Sequence, residues 1–431
     1  MTYAAAVAYL YNLQKHGIKL GLDRMTALVS RLERPDTRYR VLHIAGTNGK
    51  GSTAAITAAI LQAAGYRVGL YTSPHLVEFR ERIRVDGRMI PESDIARLAA
   101  LVKGLSEPDV APTFFECTTA IGLQYFAEAR VDVAVLEVGL GGRFDATNVV
   151  TPLACAVTTI ALDHQEYLGT TVASVAYEKA GIVKPHIPVV AGRMPDEARQ
   201  TIERVAAERA APLYRFGYDF EVVGETPERF MFSFGTIRYD DLSCPLQGTH
   251  QLENCASALS LIHSAAGHGI HVGESAVREG LRNVQWEGRL EVVDREPLTV
   301  LDGAHNPAAA DAVAAYLRAF RRSNSRSRII LVLGMMRDKD HRGFIERFKG
   351  LADDLVLTQA DLPRSATVVQ LQAAVSGWRP RVHSEAVLSD ALALAKRLAR
   401  SEDLICVTGS LMLVGDVKAL RRGCGLSPLR G

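Results

Sequence analysis

The stretch VLHIAGTNGKGSTAAITAAILQAAG, residues 41–65, decides the fold. An apolar run is followed by a Gly-rich turn and then by a small-residue helical pattern, the strand–loop–helix order of a phosphate-binding loop. Its spacing is unusual. A Walker A loop ending in Gly49-Lys50 needs Gly at 44 and a hydroxyl residue at 51. Ile44 and Gly51 stand there instead, and the hydroxyl comes one place late, at Ser52. The chemistry survives the shift. Gly46, Gly49 and Gly51 allow a tight turn that aims N–H groups at phosphate oxygens. The helix N-terminus adds its dipole, and Lys50 supplies a point charge. Ser52 or Thr53 is placed to bond a phosphate or approach a magnesium ion. A Gly-rich turn alone is as often a plain strand–helix corner; Lys50 between two glycines favours the phosphate loop.

Totals narrow the class. With 431 residues, 48% hydrophobic and 23% charged, two domains with ample core are expected. A formal charge of +2 argues against a dominant nucleic-acid or membrane-surface partner. The opening MTYAAAVAYLYNLQKHG lacks a basic n-region and reads as an amphipathic helix, not a signal peptide. No apolar run reaches the ~18 residues of a membrane span. Six cysteines, 117, 155, 244, 255, 406 and 424, are scattered without a Cys-x-x-Cys pair. They read as reduced, mostly buried thiols of a cytoplasmic protein.

Strand-like runs alternate with helices through most of the chain, which signals α/β architecture with parallel sheets. Candidate strands are 41–45, 67–73, 131–138, 153–162 and 187–192. LYRFGYDFEVV and RFMFSFGTIRY alternate differently and predict a small antiparallel sheet on the flank. From residue 297 a new alternating series predicts a second, Rossmann-like doubly wound domain. Charge and a proline in VVDREP (292–297) mark the boundary. The expected domains are thus 1–294, an N-terminal domain carrying the phosphate loop, and 295–431.

Several strand ends carry chemistry, and ligands of open α/β sheets sit at carboxyl ends of strands. VDVAVLEVGLGGRFDATN delivers Glu137, a candidate magnesium ligand, followed by glycines that permit close approach. RVGLYTS delivers Thr72 and Ser73, with His75 just beyond; CAVTTIALDH delivers Asp163 and His164. A hydroxyl, a carboxylate and an imidazole make a plausible magnesium shell, although each alone is weak. LDGAHNP closes a strand with Asp302, His305 and Asn306, which suit either a nucleotide contact across a cleft or a helix cap. Arg289 is either a cleft residue or an ordinary surface arginine.

GTNGKGS, TSPHL, FRERI, EVGLGGRFDATN, LDH, EKAGIVK, GRLE, LDGAHNP and VTGSLMLVG occur in this order. Together they resemble the folylpolyglutamate synthase and dihydrofolate synthase family of the Mur ligase superfamily, over nearly the whole chain. GTNGKGS with its displaced hydroxyl is characteristic of that family. The resemblance implies an ATP-dependent amide ligase that makes an acyl phosphate and lets L-glutamate displace it. It implies ATP, Mg²⁺ and a monovalent cation such as K⁺ as cofactors. The implied substrates are dihydropteroate or a reduced folate, with L-glutamate, and the implied state is a monomer without nucleic-acid or membrane partners.

By resemblance, Thr47, Asn48, Gly49, Lys50, Gly51 and Ser52 bind ATP, with Asn254, Arg289, Asp302 and His305. Ser73, Glu137 and His164 match metal ligands, and Lys179 matches a lysine that the family carbamylates. Thr113, Phe115 and Asp145 match the pterin side. Lys50, Lys179 and His164 are the expected catalytic residues. Two departures are Met412, where the family often has Tyr, and Arg80, where Asn is common. Closure of two domains over a hydrolysable acyl phosphate suits this chemistry. A hydrolytic P-loop NTPase predicts standard Walker A spacing and no second nucleotide-contacting domain. A non-catalytic binding module would tolerate loss of Glu137, His164 or Lys179. A peptidoglycan-type Mur ligase usually carries Thr or Ser directly after the lysine. Within the family, a folylpolyglutamate synthase without dihydrofolate synthase activity is the alternative to a bifunctional enzyme.

Overall fold

A computed structural model describes the chain except residues 15, 16, 18, 20, 107–111, 376, 378–380 and 426–431. It forms two compact units: Met1–His75, Phe79–Pro245 and Gln251–Val284 in one, Leu76–Glu78, Leu246–His250 and Gln285–Gly431 in the other. The main division therefore falls at 284/285, ahead of the expected 294/295. The reason is strand pairing: Glu291–Arg295 runs antiparallel to Leu298–Leu301, from Glu291 opposite Leu301 to Arg295 opposite Leu298. A cut at 294 would split that ladder.

The first unit contains β1 (Arg40–Ala45), β2 (Val68–Tyr71), β3 (Ile83–Val85), β4 (Arg88–Met89), β5 (Val133–Glu137), β6 (Ala154–Val157), β7 (Val189–Ala191) and β8 (Leu213–Arg215). They form one sheet in the order β4-β3-β2-β5-β1-β6-β7-β8. From β2 to β8 all neighbours are parallel, while β3 and β4 pair antiparallel. Strands β2, β5, β6 and β7 are buried at every residue, as a parallel sheet covered on both faces requires.

Helix Lys50–Ala63 owes its small residues to close packing. A side chain at Gly280, in helix Glu274–Asn283, would meet the Ile60 backbone nitrogen at 2.6 Å. Ala54, Ala55 and Ala58 are buried along the same helix. A second sheet, β9 (Phe220–Thr226), β10 (Arg229–Phe234) and β11 (Ile237–Leu242), is antiparallel, as the alternation predicts. LYRFGYDFEVV does not form a single strand. Its first residues join the large sheet as β8, and Asp219 closes the turn by accepting the Arg215 N–H at 2.8 Å.

The second unit carries β12 (Glu291–Arg295), β13 (Leu298–Leu301), β14 (Ile329–Leu333), β15 (Asp354–Leu357), β16 (Arg381–Ser384) and β17 (Leu404–Thr408) in the order β12-β13-β17-β14-β15-β16. All pairs but β12–β13 are parallel. Helices Pro307–Ser323, His341–Glu346 and Val368–Ala374 share one apolar core, and Leu388–Leu398 and Leu411–Arg422 share another. Two cores on one sheet make the doubly wound arrangement.

Candidate active site

The phosphate loop follows β1 directly and lies against the chain leaving β6. Thr47 N–H donates to Thr159 O at 2.7 Å, and the Thr47 hydroxyl donates to Ala161 O at 3.0 Å. Thr158 Oγ1 donates to Asn48 O at 2.7 Å. Gly49 sits in the left-handed region at φ +85°, where a Cβ would collide with Asn254 Oδ1. Only glycine meets both demands. Lys50 opens the helix and folds back, its Nζ donating to Gly46 O at 3.0 Å and Thr47 O at 3.1 Å. Ser52 is buried at the helix start, whereas Thr53 is fully enclosed.

Glu137 stands beside this loop because Ile44 of β1 pairs with it in register. Its Oε2 accepts the Ser73 N–H at 3.1 Å, so two of the three expected metal residues meet. β6 ends at Val157, seven residues before His164. His164 is exposed and left-handed at φ +49° ahead of helix Gln165–Leu168. Among the described residues, no three His, Cys, Asp or Glu side chains form a ready metal cluster.

Lys179, on helix Val172–Ala180, is buried, and its Nζ donates to Gly46 O at 2.8 Å. Burial first, and the neighbouring Lys50 charge second, push its ammonium down to about 7. Of the glycines after Glu137, Gly142 serves this packing. A Cβ at Gly142 would meet Glu178 O at 2.9 Å and Lys179 O at 2.8 Å. The close approach expected there for a ligand is made by the protein's own backbone.

On the expected pterin side, Thr113 caps helix Phe114–Glu128 in a capping box with Glu116. Phe115 packs on Gly139, where a Cβ would strike its ring, and lies 6.1 Å from the Tyr71 ring. Asp145 is buried and receives four donors from its own loop. Oδ2 accepts Gly139 N–H at 3.0 Å and Leu140 N–H at 2.9 Å; Oδ1 accepts the Thr147 N–H at 3.0 Å and its hydroxyl at 2.5 Å. Desolvation raises its carboxyl above the usual range, against those hydrogen bonds. Thr113 and Asp145 are thus structural caps, whatever else they touch.

Asn254 is buried on helix His250–Ser264, its Nδ2 donating to Gln251 Oε1 at 2.8 Å. In the second unit, Asp302 accepts Leu290 N–H and Ala304 N–H, both at 2.8 Å. This fixes the chain around Arg289, whose Nη1 donates to Gly288 O at 3.0 Å. His305 Nδ1 lies 2.9 Å from Gly303 O. Asn306 caps helix Pro307–Ser323 through Ala309 N–H at 2.9 Å, so here the cap reading holds.

Residues 44–262 match the family described as Mur ligase middle domain, and 288–411 match Mur ligase, glutamate ligase domain. The dihydrofolate synthase/folylpolyglutamate synthase of Bacillus subtilis is 37% identical over 96% of this chain and 98% of that one. The chain belongs to the Mur ligase family, in its dihydrofolate synthase/folylpolyglutamate synthase branch. The structure of Escherichia coli FolC in complex with DHPP and ADP superimposes on this Mur ligase with a TM-score of 0.90. It shares 36% identity, with 98% of each chain covered. A Yersinia pestis bifunctional folylpolyglutamate synthase/dihydrofolate synthase, complexed with AMPPNP and Mn ion, gives 0.88 at 34% identity over 98% of each chain.

Sequence reading passed over three residues of this Mur ligase. Arg24 donates to both Glu116 oxygens, at 3.1 and 3.3 Å, tying residues 21–25 to the Thr113 cap. His43 Nε2 lies 2.8 Å from Thr147 Oγ1, one step behind Asp145. Arg82 is buried beside the Ser73 segment. Arg82 lies within the FRERI motif, but nothing in the motif singled it out, because each of these contacts joins segments distant in sequence or turned toward one another by a loop.

Proposed function

We propose that the protein is an ATP-dependent amide ligase that joins L-glutamate to dihydropteroate and, in a second activity, to reduced folates. The observation that carries this reading is the position of Glu137 and Lys179 against one phosphate loop. Glu137 lies in register with Ile44, and Lys179 reaches Gly46 O. A carboxylate oxygen of the pteroate or folate attacks the γ-phosphorus of ATP, releasing ADP and forming an acyl phosphate. The glutamate amine then attacks the acyl carbon, and phosphate and a proton leave.

This chain's residues do most of their work by positioning and charge neutralisation, as phosphoryl transfer demands. The N–H groups of residues 47–52 and the Lys50 ammonium hold the β- and γ-phosphates. Asn254, and in the second unit Arg289, Asp302 and His305, contact the nucleotide. Glu137, Ser73 and His164 would hold Mg²⁺, which when bound spreads the charge of the transferring phosphoryl group. Lys179, neutral in part near pH 7, adds CO₂ through Nζ and releases a proton, becoming a carbamate suited to a metal. Phe115, Thr113 and Asp145 line the pterin side, and a monovalent cation such as K⁺ assists. The near-zero net charge and free cysteines support action in the cytoplasm, and the resemblance to the family implies a monomer acting on small molecules.

The test is ADP release dependent on L-glutamate, measured side by side with dihydropteroate and tetrahydrofolate. Turnover with both is expected. Turnover with tetrahydrofolate alone makes the enzyme a polyglutamate synthase only, and ADP release indifferent to glutamate removes the ligase reading.

A further inference from the structure

Arg82 is only 2% exposed and ends the turn Phe79–Arg82. Its carbonyl accepts the Thr72 N–H at 3.0 Å, so its side chain starts beside Ser73, whose N–H is held by Glu137. Nε–H donates to His75 Nδ1 at 2.8 Å. The guanidinium carbon lies 5.3 Å from the centre of the Phe114 ring. Among the described residues, neither terminal nitrogen finds a carboxylate, carbonyl or hydroxyl acceptor. Glu137, Glu81 and Tyr71 act on it through space without a hydrogen bond.

A buried guanidinium satisfied at one nitrogen by a neutral imidazole is expensive, since burying a charge without a paired anion costs several kcal/mol, roughly. Such an arrangement persists where an anion completes it. The two terminal nitrogens form a planar fork that matches a carboxylate in bidentate fashion, and Phe114 supports the cation from one face. The guanidinium lies over the ring of Phe114, which adjoins Phe115 at the start of the same helix, and within reach of the charge of Glu137 beside the phosphate loop.

Building on the ligase reading, we propose that Arg82 binds the carboxylate of the pteroate or folate substrate, the group that receives the phosphoryl. This gives the chain a recognition element for the reacting end of the acceptor, separate from the Phe115–Asp145 end. Phosphate oxygens of ATP and the carboxylates of L-glutamate share the same oxyanion chemistry, so the test separates the three sources.

Binding of dihydropteroate and of its carboxamide is measured with ADP and Mg²⁺ present, on the full chain and on Arg82→Met and Arg82→Lys. The unsubstituted protein is expected to prefer the acid by about tenfold or more. Arg82→Met should bring the two ligands within about twofold, and Arg82→Lys should keep part of the preference. An unchanged preference in folded Arg82→Met overturns the proposal. So does a loss confined to the KM for ATP or for L-glutamate. If Arg82→Met fails to fold, equal binding of acid and amide by the unsubstituted protein overturns it on its own. Glutamate-dependent ADP release by the unsubstituted protein checks the ligase reading separately, so the two failures are distinguishable.

Discussion

Lys50 and Lys179 donate to the same carbonyl oxygen, Gly46 O, at 3.0 and 2.8 Å. Two ammonium groups on one acceptor repel, and Lys179, the buried one, loses its proton more readily. An amine that is partly neutral near pH 7 is nucleophilic enough to take up CO₂, whereas an ordinary surface lysine is not. Lys179→Ala is expected to lose ligase activity and to regain part of it when short-chain carboxylic acids are added. Full activity in the plain variant would remove Lys179 from the machinery.

Lys50 donates to its own loop, through Gly46 O at 3.0 Å and Thr47 O at 3.1 Å. Removing it costs the fold little but leaves charge on the transferring phosphoryl group uncompensated. Lys50→Ala should keep the thermal midpoint nearly unchanged while kcat falls by about 10²-fold or more. Near-normal turnover in a soluble variant would unseat the phosphate-loop assignment.

Gly49→Ala acts on backbone and packing together, because φ is +85° and the new Cβ meets Asn254 Oδ1. A loss of about 1–3 kcal/mol in stability is expected, with a raised KM for ATP. Denaturant unfolding and initial-rate kinetics check both. A variant as stable as the parent would mean that the loop relaxes freely.

Asp145 collects four donors, and truncation orphans the three backbone N–H groups, while the Thr147 hydroxyl keeps His43 Nε2 at 2.8 Å. Asp145→Ala should destabilise by about 2–4 kcal/mol and raise the KM for dihydropteroate. A stability loss with an unchanged KM would leave Asp145 as a cap alone.

His263 is stacked with Phe232 and Phe234 and held down at about 4 by burial. Its unfolded value is near 6.5. Between those values the unfolded chain binds a proton that the folded chain refuses, so stability falls as pH drops through that window. The slope is at most about 1.4 kcal/mol per pH unit for one such group. His263→Phe should flatten the decline between pH 6.5 and 4 in urea titrations; identical slopes would show that other groups govern it.

The sequence by itself determined the two α/β units, the phosphate loop and the strand ends that carry Glu137 and Ser73. Those features are local: hydrophobic period, glycine spacing and turn chemistry act over a few residues. It also located the flanking antiparallel sheet, although not that LYR would leave it for β8. Only tertiary structure decided that Ile44 and Glu137 stand in register, that Lys179 reaches Gly46 O, and that Gly142 packs on Lys179's own backbone. Arg82 shows the same limit, because its burial and its place beside the Ser73 segment come from a loop returning to β2. Charge and burial are properties of a residue's surroundings, and the surroundings of a buried lysine or arginine are assembled from segments that the linear order keeps apart.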